Sequence, residues 1–163
     1  EVMYVTDAYS GVHKSLDGNV QAEERYAMAA LAVGGAKETE VSRIEIDREE
    51  PSYTITTVHG LLELYPGSEL SLVIGMDSLA ELDGWRESDH LLEHVSVIVM
   101  RRPGPGVAPG AAPATGRIHY AENPLIDISS TYIRDRIRAG KSVRYLLPDA
   151  VIDYIHRKGL YRN

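Results

Sequence analysis

Apolar residues in the first part of the chain form one short run and one helix-like series. Val2 to Val5 is an apolar run typical of a buried strand, and a polar, glycine-containing stretch from Thr6 to Asn19 follows it. Residues 22–31 are rich in helix formers, carry their acidic residues early and stop before Gly34-Gly35. The pattern predicts a strand, a loop and a helix, in that order.

The same alternation continues through the middle of the chain. Val41, Ile44 and Ile46 stand among charged residues as the apolar positions of a strand do, and residues 54–65 then carry apolar side chains at helical spacing ahead of Pro66. This stretch predicts a strand, a turn and a helix.

Two further apolar runs predict buried strands. Residues 70–74 end on Gly75-Met76-Asp77-Ser78, two short helical pieces flank Gly84-Trp85, and residues 95–100 form the next run. Both runs repeat the buried-strand pattern of the first residues.

The last third begins with residues 102–116, which are rich in Pro, Gly and Ala, lack periodicity and predict a flexible loop. We expect a strand at residues 118–120. Ser129 or Ser130 can cap a helix that runs to about Ala139-Gly140, and a final helix from Pro148-Asp149 to His156 ends at Gly159.

Strands and helices alternate along the whole chain. This order predicts an α/β fold, with a doubly wound, mostly parallel sheet that has helices on both faces. In such folds ligands bind beyond the carboxyl ends of the strands. At 163 residues we expect one domain spanning residues 1–163.

Composition narrows the classes of function. The formal net charge of −7 argues against a nucleic-acid surface, which needs a dense array of Lys and Arg. The chain has no cysteine, which excludes disulfides and thiolate metal sites and is compatible with a cytoplasmic location. Charges interrupt every apolar run before it could span a membrane, so we expect a soluble protein that binds neither nucleic acid nor membrane, with a homo-oligomer left open.

One segment combines several groups that bind anions. In Ile128-Ser129-Ser130-Thr131-Tyr132-Ile133-Arg134, free backbone N–H groups, hydroxyls and the helix dipole converge at a predicted helix start, and Arg134 adds a positive charge. Serines at this position are also ordinary helix caps, so the residues alone leave both interpretations open.

The segment resembles the late phosphate-binding motif of nucleotidyltransferases, and in particular that of bacterial nicotinate-nucleotide adenylyltransferases. Other segments are similar to motifs of that family in the same order: Ser52-Tyr53-Thr54-Ile55-x-Thr57, Gly75-Met76-Asp77-Ser78-Leu79 followed by Trp85, Arg101-Arg102-Pro103-Gly104, and a tail from Tyr145-Leu146-Leu147-Pro148 to Gly159-Leu160-Tyr161. The resemblance covers nearly the whole chain, from about Ala22 to Tyr161.

The resemblance implies a Rossmann-like fold and a defined reaction. Enzymes of this family transfer the adenylyl group of ATP to nicotinic acid mononucleotide, which gives nicotinic acid adenine dinucleotide, a precursor of NAD, and pyrophosphate. A divalent cation, Mg²⁺, is expected to arrive with the ATP phosphates. The reaction needs alignment and charge neutralisation more than covalent chemistry from the protein.

The resemblance also implies roles for the ATP-binding residues. Ile128, Ser129, Ser130, Thr131 and Arg134 are expected to hold phosphates. Gly75 would let the backbone approach the nucleotide, and Asp77 would accept hydrogen bonds from a ribose. The alternative for Asp77 is a helix N-cap. Lys14, in Gly11-Val12-His13-Lys14, is similar to a Pro-Pro-His-Lys loop of the family and joins Arg134 as a candidate catalytic residue.

The mononucleotide is expected to meet a second set of residues. Trp85 would stack on the nicotinate ring, or else serve as a core residue. Ser52, Tyr53 and Thr54 would hold the carboxylate or the ring, or form a plain helix start. Arg86 lies beside Trp85, and Arg101 would face the substrate phosphate from a strand end. No residue is predicted to bind a resident metal.

The sequence departs from the family most clearly in the family's most diagnostic segment. It contains no His-x-Gly-His and no Phe, whereas the family carries a Gly-x-Phe-Asp-Pro-x-His-x-Gly-His segment after its first strand, whose histidines bind ATP phosphates. We therefore expect about 25 to 35 residues, one βα unit, to be absent ahead of Glu1. A nucleotide-binding module without catalysis is the first alternative, and a phosphopantetheine adenylyltransferase is the second.

A rival of another class comes from His90-Leu91-Leu92-Glu93-His94, which fits the His-x-x-Glu-His pattern of a zinc peptidase helix. The segment is short and runs directly into a predicted strand, and no later acidic helix offers a third ligand. These points argue against a peptidase.

Overall fold

The computed structural model of the protein describes residues 3–6, 20–48, 50–101 and 117–162. The strands are β1 (Met3–Thr6), β2 (Thr39–Ser42), β3 (Leu70–Gly75), β4 (Val95–Met100) and β5 (Ile118–Tyr120). The helices are α1 (Ala22–Val33), α2 (Thr54–Leu64), α3 (Met76–Ala80), α4 (Ser88–His94), α5 (Ser130–Arg138) and α6 (Asp149–Lys158), with a 3₁₀ turn at Leu82–Gly84. The predicted loop at 102–116 lies outside the described residues.

The chain divides into two compact units. The first comprises Glu1–Ser52 and Ile128–Asn163, and the second comprises Tyr53–Asp127. Every strand pairing in the described ranges is parallel, and helices separate β1 from β2, β2 from β3 and β3 from β4 along the chain. Parallel pairing requires crossover connections of this kind. The predicted α/β class is confirmed, whereas a single domain stays a prediction.

The first unit joins a two-stranded parallel sheet to three helices. β1 pairs with β2 from Met3↔Thr39 to Thr6↔Ser42, with α1 between them in sequence. α1 also contacts α6. The core consists of residues from α5, α6 and the segments after them, namely Ile137, Val143, Val151, Ile155 and Leu160. This packing fixes α5, whose N-terminus carries the candidate phosphate site.

Two glycines follow the ends of α5 and α6, as the sequence predicts. Gly140 follows α5 with φ of 66°, and Gly159 follows α6 with φ of 65°. Glycine adopts this left-handed conformation without the steric cost that a Cβ brings, so the chain can turn sharply at both places.

The second unit contains the three-stranded sheet β3-β4-β5. β3 pairs with β4 from Leu70↔Val95 to Gly75↔Met100, and β4 pairs with β5 at Val97↔Ile118 and the two residues that follow. Val95, Val97 and Val99 on the central strand are 0–1% exposed. Burial of a valine side chain contributes about 1.5–3 kcal/mol, so β4 is the centre of this core.

The helices of this unit pack on the same core. Ile55 and Val58 of α2 and Leu91 and Leu92 of α4 are buried together with the valines of β4. α2 and α4 also contact each other directly. Their positions are therefore set by apolar packing, and their polar faces are left to solvent.

The predicted strand through Ile44 and Ile46 is wrong beyond Ser42. Ile44–Asp47 form a turn, in which the Ile44 N–H donates to Ser42 Oγ at 3.2 Å and the Asp47 N–H donates to the Arg43 carbonyl at 3.0 Å. The Ser42 side chain and the Arg43 carbonyl accept hydrogen bonds from backbone N–H groups here, and these bonds take the place of hydrogen bonds to a neighbouring strand.

Arg43 also anchors this turn to α1. Its guanidinium donates to the Glu23 carboxylate at 2.7 Å and to Asp47 at 2.9 Å. The hydrogen bond from Arg43 lowers the pKa of the Glu23 carboxyl. The pKa of Arg43 is raised, mainly by its hydrogen bond to Glu23 and next by its hydrogen bond to Asp47. No helix in the described ranges is long and apolar enough to cross a membrane.

Candidate active site

Ser129 is the N-cap of α5. Its backbone is extended, with φ of −127° and ψ of 154°, and its Oγ accepts a hydrogen bond from the Tyr132 N–H at 3.1 Å. The Ser129 carbonyl accepts from Ile133 at 3.1 Å, the first bond of the helix. The sequence offered Ser129 or Ser130 as the cap, and the structure selects Ser129.

The first turn of α5 presents its N–H groups at the helix start. An N–H group in a helix donates to the carbonyl four residues earlier in the chain. The N–H groups of Ser130 and Thr131 therefore have no acceptor within the helix, because the carbonyls four residues before them precede its start. Ile128, Ser129, Ser130 and Thr131 are all exposed. The positive end of the helix dipole lies here, so the segment has the geometry of an anion site.

Arg134 lies at the same end of the helix. Its Nη2 donates to Thr131 Oγ1 at 3.1 Å, and the side chain is half-buried. The guanidinium is thereby held toward the first turn. The structure thus brings together Thr131 and Arg134, two of the residues predicted to contact phosphate.

The other arginines of α5 have different partners. Arg136 donates to the Ser142 carbonyl at 2.7 and 2.9 Å, and Arg138 donates to Asp135 at 2.8 Å. Both lie in the last turn, where cations interact favourably with the helix dipole. Arg134 is the arginine of α5 placed at the helix start.

In the second unit, β3 ends directly at α3. Gly75 is the N-cap of α3, with φ of −83°, and Asp77 lies in the first turn with an exposed side chain. A Cβ on Gly75 would lie 2.5 Å from Asp77 Oδ1. Because Gly75 and not Asp77 is the N-cap, the cap alternative for Asp77 is wrong. A side chain at position 75 would require the exposed Asp77 carboxylate to move from its present position.

Tyr53 and Arg86 are brought together in the same unit. Tyr53 is the N-cap of α2 and Thr54 is its first residue. The Arg86 guanidinium lies 4.5 Å from the centroid of the Tyr53 ring, and its Nε contacts Glu87 Oε1 at 3.2 Å. A cation held on an aromatic face is fixed in position while remaining able to bind an anion.

Trp85 follows the 3₁₀ turn and is half-buried against the core of the second unit. Part of the indole therefore packs and part is accessible. Both roles weighed for Trp85, stacking and packing, remain compatible with this placement.

The three remaining predicted site residues are Ser52, Arg101 and Lys14. Ser52 belongs to the first unit and does not cap α2, and its buried Oγ has no hydrogen-bond partner among the described residues. Arg101 has an exposed side chain. Lys14 lies outside the described residues.

Sequence reasoning missed Asn123. Its side-chain amide accepts from the Arg101 N–H at 2.9 Å and donates to the Arg101 carbonyl at 2.9 Å. Asn123 thereby fixes the backbone at the end of β4. An asparagine three residues after a short strand carries no distinctive spacing, so no signal in the sequence marked it.

Comparisons with known proteins agree with the motifs. The cytidylyltransferase-like family matches residues 2–136. A protein named "Probable nicotinate-nucleotide adenylyltransferase" from Saccharopolyspora erythraea is 41% identical over 141 residues, which cover 86% of this chain and 66% of that protein. One of the same name from Salinibacter ruber is 35% identical over 162 residues, covering 99% of this chain and 83% of that protein.

A solved structure gives the same fold. The Plasmodium falciparum nicotinic acid mononucleotide adenylyltransferase complexed with NaAD matches with a TM-score of 0.73 over 98% of this chain and 82% of that chain, at 17% identity. The predicted Rossmann-like α/β fold is confirmed. The chain belongs to the cytidylyltransferase-like family of nucleotidyltransferases, and within it to the nicotinate-nucleotide adenylyltransferases.

Proposed function

We propose that the protein transfers the adenylyl group of ATP to nicotinic acid mononucleotide, with release of pyrophosphate. The observation that carries the proposal is the start of α5, where Ser129 caps the helix and Arg134 is held beside Thr131. The chain's relatives are named for this reaction.

The chemistry suits these residues. An ionised phosphate oxygen of the mononucleotide attacks the α-phosphorus of ATP, a new P–O bond forms, and the bond to the β-phosphate bridging oxygen breaks. The attacking group needs no general base, so the protein has to align the phosphates and neutralise their charge. The α5 N-terminus and Arg134 supply fixed positive potential for this purpose.

The mononucleotide is assigned to residues of the second unit. The accessible part of Trp85 would stack on the pyridine ring, and Tyr53 with Thr54 would contact the ring or its carboxylate. Arg86, held on the Tyr53 ring, would contribute a cation to the carboxylate or phosphate. Asp77 would accept hydrogen bonds from a ribose, with Gly75 beside it.

The proposal includes Mg²⁺ bound to the phosphates of ATP. The α5 residues assigned to phosphate carry hydroxyls, N–H groups and a guanidinium, and none is a carboxylate. Mg²⁺ prefers oxygen ligands and keeps several waters, so the ATP phosphates themselves would hold it. The ion supplies further neutralisation of phosphate charge.

The test is formation of the dinucleotide. Purified chain with ATP, Mg²⁺ and nicotinic acid mononucleotide should release pyrophosphate and form nicotinic acid adenine dinucleotide, separable by chromatography. Arg134→Ala should lower the rate, whereas Arg138→Ala on the same helix should not. Product formed instead from phosphopantetheine would assign the chain to that other adenylyltransferase class.

Binding without catalysis is a second candidate, because the cap at Ser129 and the position of Arg134 beside Thr131 would by themselves suffice to hold phosphate. Calorimetry with each nucleotide, run beside the pyrophosphate assay, separates the two functions. Tight binding of both nucleotides with no dinucleotide formed would replace the proposed transfer by a binding function.

A further inference from the structure

Three histidines of the second unit form a cluster on the polar faces of two helices. His59 comes from α2, and His90 and His94 come from α4, one helical turn apart. The ring centroids lie 4.7 Å apart for His90 and His94, and 5.4 Å apart for each of the other two pairs. One nitrogen from each ring lies within 4.8 Å of the other two.

These spacings suit one transition-metal ion. Zn–N bonds of about 2.0–2.1 Å at tetrahedral angles place the centroids of three ligating imidazoles about 5 Å apart. The three rings already form a triangle close to that size, and their mutual angles of 71–84° show that no two of them stack. Small rotations of accessible side chains would bring the nitrogens to coordination distance.

Glu93 adds a second observation that points to a metal. The Glu93 carboxylate lies 3.0 Å from His90 Nδ1. An ionised carboxylate only accepts hydrogen bonds, so a neutral His90 that donates from Nδ1 to Glu93 carries its lone pair on Nε2. Metal-binding histidines are oriented by a carboxylate on the other ring nitrogen in the same way.

The backbone that carries the ligands is fixed by packing. Leu91 and Leu92 of α4 are buried in the core, as are Ile55 and Val58 of α2. Side chains that start from rigidly packed helices need little reorganisation to bind an ion. The His90 side chain is 46% exposed, so a hydrated cation can reach it.

The geometry points to a Zn²⁺ site formed by His59, His90 and His94, with the remaining coordination position open to water. Imidazole ligands favour Zn²⁺ over Mg²⁺. The ion would link α2 to α4 inside the second unit, at residues that the proposed adenylyl transfer does not use. Glu93 orients a ligand here, which is not the role of the glutamate in a peptidase.

The test is zinc binding by the whole chain. Chelator-treated protein is titrated with ZnCl₂ by calorimetry in the presence of excess Mg²⁺, and X-ray absorption reports the ligands of the bound metal. We expect one Zn²⁺ per chain with three imidazole ligands and a higher melting temperature. His59→Ala and His94→Ala should each lower the affinity, and Glu93→Ala should lower it about tenfold.

His119→Ala is the matched control, because His119 is an exposed histidine of the same unit on β5. It should leave zinc affinity unchanged. Circular dichroism of the metal-free variants checks that each is folded. No zinc binding by the folded wild-type chain, or equal affinity in wild type and His59→Ala, would overturn the site and leave three rings that only pack together.

Discussion

Replacement of Arg134 by alanine is the sharpest test of the start of α5. The half-buried guanidinium donates to Thr131 Oγ1 at 3.1 Å, and it is the arginine of α5 held at the helix start. If it binds an ATP phosphate, the substitution removes a hydrogen bond between charged groups, while the cap formed by Ser129 remains.

The magnitude follows from the kind of interaction lost. A hydrogen bond to a charged group contributes about 1.5–3 kcal/mol, which corresponds to about a 10- to 150-fold loss of ATP affinity. The side-chain contact with Thr131, three residues away on the helix, is worth only about 0.2–0.5 kcal/mol. ATP affinity should therefore fall strongly, and urea unfolding of the same variant shows separately how much Arg134 stabilises the fold.

Calorimetric titration with ATP and Mg²⁺ measures the affinity, and urea unfolding measures the stability. Arg134→Lys keeps the charge but loses the planar fork, so its affinity should lie between those of wild type and Arg134→Ala. Arg138→Ala, which removes an arginine paired with Asp135, is the control and should bind ATP normally. ATP affinity within twofold of wild type in Arg134→Ala would refute the assignment of Arg134 to phosphate.

Four further outcomes can be measured. Trp85→Ala should weaken nicotinic acid mononucleotide binding about tenfold or more, since stacking contributes ~1–3 kcal/mol; calorimetry showing unchanged affinity would remove Trp85 from the site. Ser129→Ala deletes the N-cap bond and should lower the free energy of unfolding in urea by about 1 kcal/mol. Leu91→Ala empties a fully buried position and should cost about 2–5 kcal/mol in the same assay. Glu23 has a pKa below its usual value of 4.5 because of Arg43, so its stabilising effect is present above the unfolded pKa and is lost as pH falls through the folded pKa. Glu23→Gln should therefore lower the melting temperature at pH 7 more than at pH 3, and an equal drop at both would contradict this.

The sequence predicted those elements whose signals are local. Ser129 as a cap, Gly140 after α5 and the valines of β4 all depend on neighbouring residues only, and each was found in place. The turn at Ile44 combines local hydrogen bonds to Ser42 and Arg43 with a distant contact, because Arg43 also reaches back to Glu23 on α1. Alternating apolar residues cannot reveal such a contact.

In the candidate site, too, the features set by neighbouring residues could be predicted and the contacts between distant residues could not. The motif at residues 128–134 marked the helix start, but the approach of Arg86 to the Tyr53 ring joins positions 33 residues apart. His59 is a clearer case, since the sequence offered His90 and His94 without a third ligand, and only the packing of α2 on α4 supplied one. Contacts made across a fold are set by packing geometry, which spacing along the chain does not encode.

The contact between Gly75 and Asp77 has an evolutionary consequence. With Oδ1 of Asp77 at 2.5 Å from any added Cβ, even alanine at position 75 would displace the carboxylate. A lineage whose function needs the present orientation of the Asp77 side chain should therefore retain glycine at position 75, whereas a lineage that replaces the aspartate is released from this constraint. Library designs that randomise one position should randomise both.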